Sequence, residues 1–243
     1  MAFRRHSAPI TVLWGGSYSF RFMNYALLAG VVSASARLYE LFIRYFRNWG
    51  IYLNKKTRAV DEETYKRIIS VIRQGFLYEG THFKPNERIA TVLVLEYNLG
   101  LRVGDILQLR MSSFVRDGNR YHLDIYEQKT GKYRNFTIPM EVYHFVREYA
   151  YKNGIGQKAR LFQITERAVL KHLKAAVDFL GLEGIGTHSF RKGFATNIYV
   201  NNQYNIELVR VLLQHSSVVV SQRYIGIGSK ELEDALVKNI SLV

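Results

Sequence analysis

Several side chains in this sequence have the types and positions needed to act on a phosphodiester. During displacement at phosphorus, negative charge spreads over the nonbridging oxygens, and a planar guanidinium can hydrogen-bond two of them at once. Arg102, in Gly100-Leu101-Arg102, and Arg191, in His188-Ser189-Phe190-Arg191, each fall at the mouth of a predicted helix. The imidazoles of His188 and His215 exchange protons near neutral pH. A phenolic oxygen can attack phosphorus and conserve the bond energy as an ester, dividing one exchange at phosphorus into two displacements. Tyrosine is abundant, with 17 copies, so residue type alone does not single one out. Lys129 and Lys132 flank a turn in Gln128-Lys129-Thr130-Gly131-Lys132. Taken singly, each has an ordinary alternative: a surface ion pair for Arg, a core or capping role for His, a solvated charge for Lys, packing for Tyr. His6, His82, His122, His144 and His172 are assigned to that ordinary class.

The charge balance points to the same substrate. The 243 residues carry 34 Lys+Arg against 20 Asp+Glu, a net charge of +14, with a pI near 9.9. The excess sits in two blocks, +7 on residues 1–56 and +8 on residues 102–228. Such a chain suits a polyanion, either nucleic acid or an anionic membrane. Residues 22–36 are mostly apolar, follow Arg4, Arg5 and Arg21, and end in Ser33-Ala34-Ser35-Ala36, the outline of a signal peptide. The run is shorter than the roughly 20 residues needed to span a bilayer, so a leader followed by a helix is expected there instead. Composition, with 48% hydrophobic and 22% charged residues, excludes disordered and fibrous classes. With no cysteine, a disulfide framework, a thiolate nucleophile and thiolate metal sites are excluded as well.

These groups must be positioned by elements that the hydrophobic pattern predicts. Leu38, Leu41, Phe42, Tyr45, Phe46 and Trp49 recur at helical spacing with Arg37, Arg44 and Arg47 largely between them, a basic amphipathic helix. A polar basic stretch, Asn54-Lys55-Lys56-Thr57-Arg58, reads as a linker, which divides the chain into a short basic region, 1–56, and a main domain, 57–243. Tyr65, Ile68, Ile69 and Ile72 form one helical face. After a loop over residues 80–86, Ile89, Val92, Leu93 and Tyr97 form another, closed by Gly100. A short helix should hold residues 103–110. Alternation at Tyr121, Leu123 and Ile125 and at Phe136 and Ile138 predicts an antiparallel sheet of about three strands. Helical spacing returns in Tyr143, Val146 and Tyr149 and again from Val169 to Leu180, with further helices expected over 189–200, 206–213 and 230–240. The fold class is mainly α with a small antiparallel β-sheet (α+β).

In order, Gly100-Leu101-Arg102, the Lys-bearing hairpin, His188-Ser189-Phe190-Arg191 and Leu213-Gln214-His215-Ser216-Ser217 leading nine residues after His215 to Tyr224 resemble the tyrosine recombinase (phage integrase) family. The likeness covers residues 57–243, its catalytic domain, and more thinly residues 36–54, which look like the last helix of its DNA-clamping N-terminal domain. The resemblance implies a site-specific recombinase that cuts and rejoins double-stranded DNA through a 3′-phosphotyrosyl intermediate on Tyr224, with no cofactor, neither ATP nor metal. It further implies that Arg102, Arg191 and His215 hold the scissile phosphate, that His188 manages the tyrosine proton, and that Lys129 protonates the leaving 5′ oxygen, with Lys132 its rival. Asp105 is similar to the acidic residue that follows the first Arg, an orienting group or else a helix-surface carboxylate. Arg44, Arg47 and Lys132 are candidate DNA contacts. Behind Ser229, Leu232, Ala235, Leu236 and Ile240 form an apolar stripe that the resemblance would dock on a neighbouring protomer of a homo-tetramer, packing in cis being the alternative. The expected setting is cytoplasmic, at the nucleoid, without a membrane, with possible accessory DNA-bending proteins. Three departures stand out: Gln214 where Gly is usual, Lys192 where His often follows the second Arg, and a much shortened N-terminal region. A type IB topoisomerase and a non-enzymatic DNA-binding regulator derived from an integrase are the competing readings.

Overall fold

The computed structural model describes residues 57–225 together with residue 237. The basic helix with Arg44 and Arg47, residues 22–36 and the C-terminal apolar stripe lie outside the described residues. Among those described, no helix is long and apolar enough to cross a membrane.

Helix α1 (Glu62–Gln74) starts where the sequence places an acidic first turn: Asp61 accepts a hydrogen bond from the Thr64 amide at 2.7 Å, and Ile68, Ile69 and Ile72 are buried. The stretch that follows is not wholly loop. Strands β1 (Phe76–Tyr78) and β2 (Thr81–Phe83) pair around Glu79 and Gly80, both at positive φ, the backbone that a two-residue hairpin turn demands. Phe76 and Phe83 stack across it with centroids 4.7 Å apart, and the His172 ring stands edge-on to both, a structural histidine as expected.

Helix α2 (Glu87–Leu99) ends at Gly100, whose φ of +58° is left-handed and whose Cα faces the Phe194 ring, so a Cβ would collide with it. The short helix expected over residues 103–110 is a single turn, α3 (Val103–Ile106), because the chain then tightens into a 3₁₀ turn, Met111–Ser113. Three antiparallel strands follow as predicted, β3 (Phe114–Asp117), β4 (Arg120–Tyr126) and β5 (Tyr133–Ile138), in the order β3-β4-β5. Leu123 stands opposite both Phe114 and Phe136, which fixes the buried face. Helix α4 (Met140–Lys152) covers that face, with Tyr143 stacked on Tyr121 at 3.6 Å.

Helix α5 (Glu166–Phe179), capped by Thr165, packs on α1. Helix α6 (Thr187–Asn201) lies along α2, and α7 (Ile206–Leu213) packs on α6. A helix the periodicity did not announce, α8 (Val218–Gln222), follows under a Ser217 cap. The main core joins α1, α2, the sheet, α4 and α5, while Ala195, Val209 and Leu213 form a second cluster against which Tyr224 packs.

Close approach of α6 and α2 depends on Gly193, where a Cβ would lie 2.6 Å from the Val60 carbonyl oxygen and 2.7 Å from the Tyr97 ring. Gly193→Ala is expected to cost about 1–3 kcal/mol by overpacking and to lower Tm by roughly 3–10 °C, read by calorimetry. An unchanged Tm would mean that the two helices are free to separate.

Candidate active site

The loop ends that follow α2 and α7 come together, and the sequence motifs sit on them. Arg102 is the N-cap of α3, which presents its side chain beside the β4–β5 hairpin. Its Nη1 lies 2.6 Å from Oε2 of Glu127 and 3.9 Å from Oδ2 of Asp105. Arg102, Lys129 and His188 line one cleft of about 360 Å³, with Asp105, Gln128 and Glu166 in the same wall. Lys132, by contrast, lines a neighbouring groove together with Gln214, His215 and Ser216. The two lysines of the hairpin therefore serve different hollows.

Asp105 is buried, so its reading as a helix-surface carboxylate is corrected. Its Oδ1 accepts the Gln128 amide at 2.8 Å and so pins the hairpin beside Lys129 to the Arg102 turn. Glu127, buried as well, accepts from Arg102 and from the Thr130 hydroxyl at 2.8 Å, and Arg134 stands 3.5 Å from its other oxygen. Burial raises the Glu127 pKa, but the hydrogen bonds from Arg102 and Thr130 outweigh it and hold the carboxyl below its ordinary value.

Arg191 is fully buried on α6 and takes no ion pair among the described residues; its guanidinium donates to the carbonyls of Gly100 and of Leu213, the latter at 3.1 Å. Burial first, and then the charge of Arg102, lowers its pKa. His188, one turn earlier, remains exposed at the cleft. Partial desolvation of its ring, followed by Arg191, Arg102 and Lys129, lowers its pKa, which favours the neutral imidazole.

His215 follows the left-handed C-cap Gln214 of α7, and its amide closes on the Arg210 carbonyl. Nδ1 lies 3.0 Å from the Ser221 hydroxyl, while Nε2 is buried and makes no hydrogen bond within the described residues. The Tyr224 ring packs beside it, centroids 4.6 Å apart, and the Arg191 guanidinium carbon lies 5.8 Å from the Tyr224 ring centre. Arg191, His215 and Tyr224 thus converge, although they lie 33 residues apart at the extremes of the set. The ammonium of Lys192, the second departure noted above, donates to the Thr57 carbonyl and ties α6 to the start of the described chain.

Burial and the arginine field push His215 down to about 4. The unfolded chain, with an imidazole near 6.5, then binds more protons than the folded one between those two values. The stabilising contribution is complete above about pH 6.5 and is lost as pH falls toward 4. Acidifying from pH 7 to pH 5 is expected to cost about 2 kcal/mol through this one group. Thermal unfolding of wild type and His215→Gln across that range checks it: the variant should show a flatter acid limb, and parallel curves would rule the linkage out.

Reasoning from sequence did not single out Glu127, Arg134, Ser221 or Glu96. Arg134 had a signal: it precedes Phe136 and Ile138 in the same alternating set, and the strand buries it with them. Glu96 lies fully buried on α2 with neither carboxylate oxygen hydrogen-bonded among the described residues, and burial raises its pKa well above the ordinary carboxylate range despite nearby Arg191.

Solved structures share this arrangement of elements. The catalytic domain of bacteriophage HP1 integrase superposes with a TM-score of 0.53 at 19% identity, over 76% of this chain and 96% of that one. A XerH site-specific recombinase bound to a palindromic difH substrate, in a post-cleavage complex, gives 0.57 at 20% identity, over 73% of this chain and 51% of that one. The fold is that of a tyrosine recombinase catalytic domain. Residues 58–230 match the phage integrase family. The chain is 33% identical over 151 residues to the probable integrase/recombinase YoeC of Bacillus subtilis, covering 58% of this chain and 79% of YoeC. It is 23% identical over 188 residues to the tyrosine recombinase XerA of Pyrococcus furiosus, covering 74% of this chain and 60% of XerA. This chain belongs to the phage integrase family.

Proposed function

We propose that this protein is a site-specific DNA recombinase that cleaves and rejoins strands through a 3′-phosphotyrosyl ester on Tyr224. The reading rests on the convergence of the Tyr224 ring with His215 and Arg191, beside a cleft shared by Arg102, His188 and Lys129. The phenolic oxygen of Tyr224 attacks phosphorus as the bond to the 5′ oxygen breaks. The phenolic proton passes to neutral His188, and the ammonium of Lys129 protonates the departing oxygen. Arg102, Arg191 and His215 hydrogen-bond the nonbridging oxygens as charge builds on them. With the Ser221 hydroxyl donating to Nδ1 of His215, the neutral ring carries its proton on the unpartnered Nε2 and offers it to the phosphate. Ligation reverses these steps with a new 5′ hydroxyl. Bond energy is conserved in the ester, so the exchange proceeds without ATP or metal.

Under this proposal residues 1–56 form a separate basic region that adds phosphate contacts, Arg44 and Arg47 among them, and the segment after Tyr224 joins protomers into a tetramer on double-stranded DNA at the nucleoid. Accessory bending proteins would then shape the site.

The test incubates the full chain with nicked duplexes drawn from the DNA flanking its own gene. A nick lets the freed 5′ end diffuse away and traps the covalent intermediate. The expected result is a detergent-stable adduct whose DNA-bearing peptide contains Tyr224. Tight binding with no adduct across that pool would overturn the enzymatic reading in favour of a DNA-binding regulator, whereas processive relaxation of supercoiled plasmid by the monomer would favour a topoisomerase.

A further inference from the structure

We propose that Arg134 is a positioning residue for the proton donor on the β4–β5 hairpin, an inference that rests on the recombinase reading above. Arg134 is 2% exposed and lines neither the cleft of Arg102, Lys129 and His188 nor the groove of Lys132 and His215, so it is placed behind the reacting groups rather than among them. It stands opposite Ile125 in the strand ladder, at the root of the turn that carries Lys129. Its guanidinium lies over the Phe136 ring at 4.6 Å and meets three partners: the Leu99 carbonyl at 3.5 Å, the Leu212 carbonyl, and the Glu127 carboxylate at 3.5 Å. Burial and then Arg191 lower its pKa only to about 10, so it stays cationic at neutral pH.

Those partners are the pieces that the chemistry must keep in register. Leu99 and Leu212 each precede a residue held by Arg191, namely Gly100 and Leu213. Two arginines thus clip the same two loop ends together at adjacent carbonyls, one of them from the sequence motifs and one from the sheet. The third partner carries the hairpin. Glu127 accepts from the Thr130 hydroxyl and Asp105 accepts from the Gln128 amide, so both neighbours of Lys129 are fixed by buried carboxylates. Arg134 faces Glu127 from one side as an ion pair at 3.5 Å, while Arg102 hydrogen-bonds it from the other. Removing the Arg134 guanidinium frees the hairpin root and lets the Lys129 ammonium drift from the leaving oxygen, while Arg102 and Arg191 keep their places. Lysine cannot substitute, since Nη2 serves both carbonyls while Nη1 faces the carboxylate, two positions that a single ammonium cannot occupy at once.

Proton donation can be read apart from everything else by changing the leaving group. In an ordinary substrate the tyrosyl oxygen–phosphorus bond forms, the phosphorus–oxygen bond breaks, and the 5′ oxygen takes a proton. With sulfur in place of the bridging 5′ oxygen, the phosphorus–sulfur bond breaks and a thiolate leaves without one. The experiment measures adduct formation on both nicked duplexes for wild type, Arg134→Met, Arg134→Lys, Lys129→Ala and Lys132→Ala, below each variant's unfolding temperature. Both Arg134 variants should lose about 10²–10³-fold on the oxygen substrate, the scale of general acid catalysis, and lie within about tenfold of wild type on the sulfur substrate. Equal loss on both substrates, or no loss on either, would overturn the positioning role. If Arg134→Met does not fold, the ratio for Arg134→Lys decides. Lys129→Ala should show the same selective relief; relief of Lys132→Ala alone would overturn the assignment of Lys129 as the acid, while the Arg134 ratio continues to judge Arg134.

Discussion

Tyr224→Phe is expected to bind its DNA with near wild-type affinity and to form no covalent adduct, a loss on the order of 10⁶-fold or more, as when a covalent nucleophile is deleted. Only the hydroxyl oxygen is removed. The ring keeps its packing on the second hydrophobic cluster and its place beside His215, so stability and the shape of the site should persist. Quantitative binding by fluorescence anisotropy, beside adduct formation on nicked duplexes, separates the two properties. Residual adduct in the variant at more than a trace would assign the nucleophile to a different residue.

Arg191→Ala should slow adduct formation by about 10³–10⁵, the range found when an arginine that stabilises phosphoryl charge is removed. Here the side chain has two duties. It donates to the Gly100 and Leu213 carbonyls and lies near the Tyr224 ring, so its loss also leaves buried carbonyls unpaired at about 1–3 kcal/mol each. Relief of the cost of burying a charge offsets part of that. A calorimetric Tm therefore accompanies the rate measurement, and the loss of rate is judged at a temperature where both proteins are folded. Arg191→Lys should be nearly as slow, because a point charge does not replace the two-pronged fork. Cleavage by folded Arg191→Ala within tenfold of wild type would remove Arg191 from the chemistry.

Much of the fold could be read from local signals. Asp61 with its acidic successors, Gly100 after the apolar face of α2, and the alternation around Leu123 each specify an element through its own residues, and the structure places α1, α2 and the three-stranded sheet there. The failures have separate causes. Strands of three residues give too few positions for alternation to show, so β1 and β2 passed as loop. The Val218-Val219-Val220 run has poor intrinsic helix propensity, and only the Ser217 cap and the packing of α8 on α7 override it. In the site, the motif residues were legible because their spacing is specific. Glu127 was not, and Arg134 was signalled only by its place in the alternation with Phe136 and Ile138, because a charged side chain is expected outside; the tertiary meeting of hairpin, α2 and α7 is what supplies their partners. Lys129 and its rival Lys132 part company when the turn is folded, each lining a different hollow.

Gln214 has a consequence for how this protein could be tuned. A non-glycine residue at φ +53° carries a backbone cost of about 1–2 kcal/mol, one that the glycine more usual in the family would avoid. Its carboxamide offsets this by donating to the Tyr133 carbonyl at 3.2 Å, lacing the end of α7 to the start of β5. Exchange for glycine would trade an enthalpic tether for an easy backbone, leaving Tm nearly level while the hairpin and the histidine loop breathe independently. Position 214 is thus a dial on the coordination of two loops rather than on the stability of the domain, the kind of site where homologues can diverge in turnover without diverging in fold.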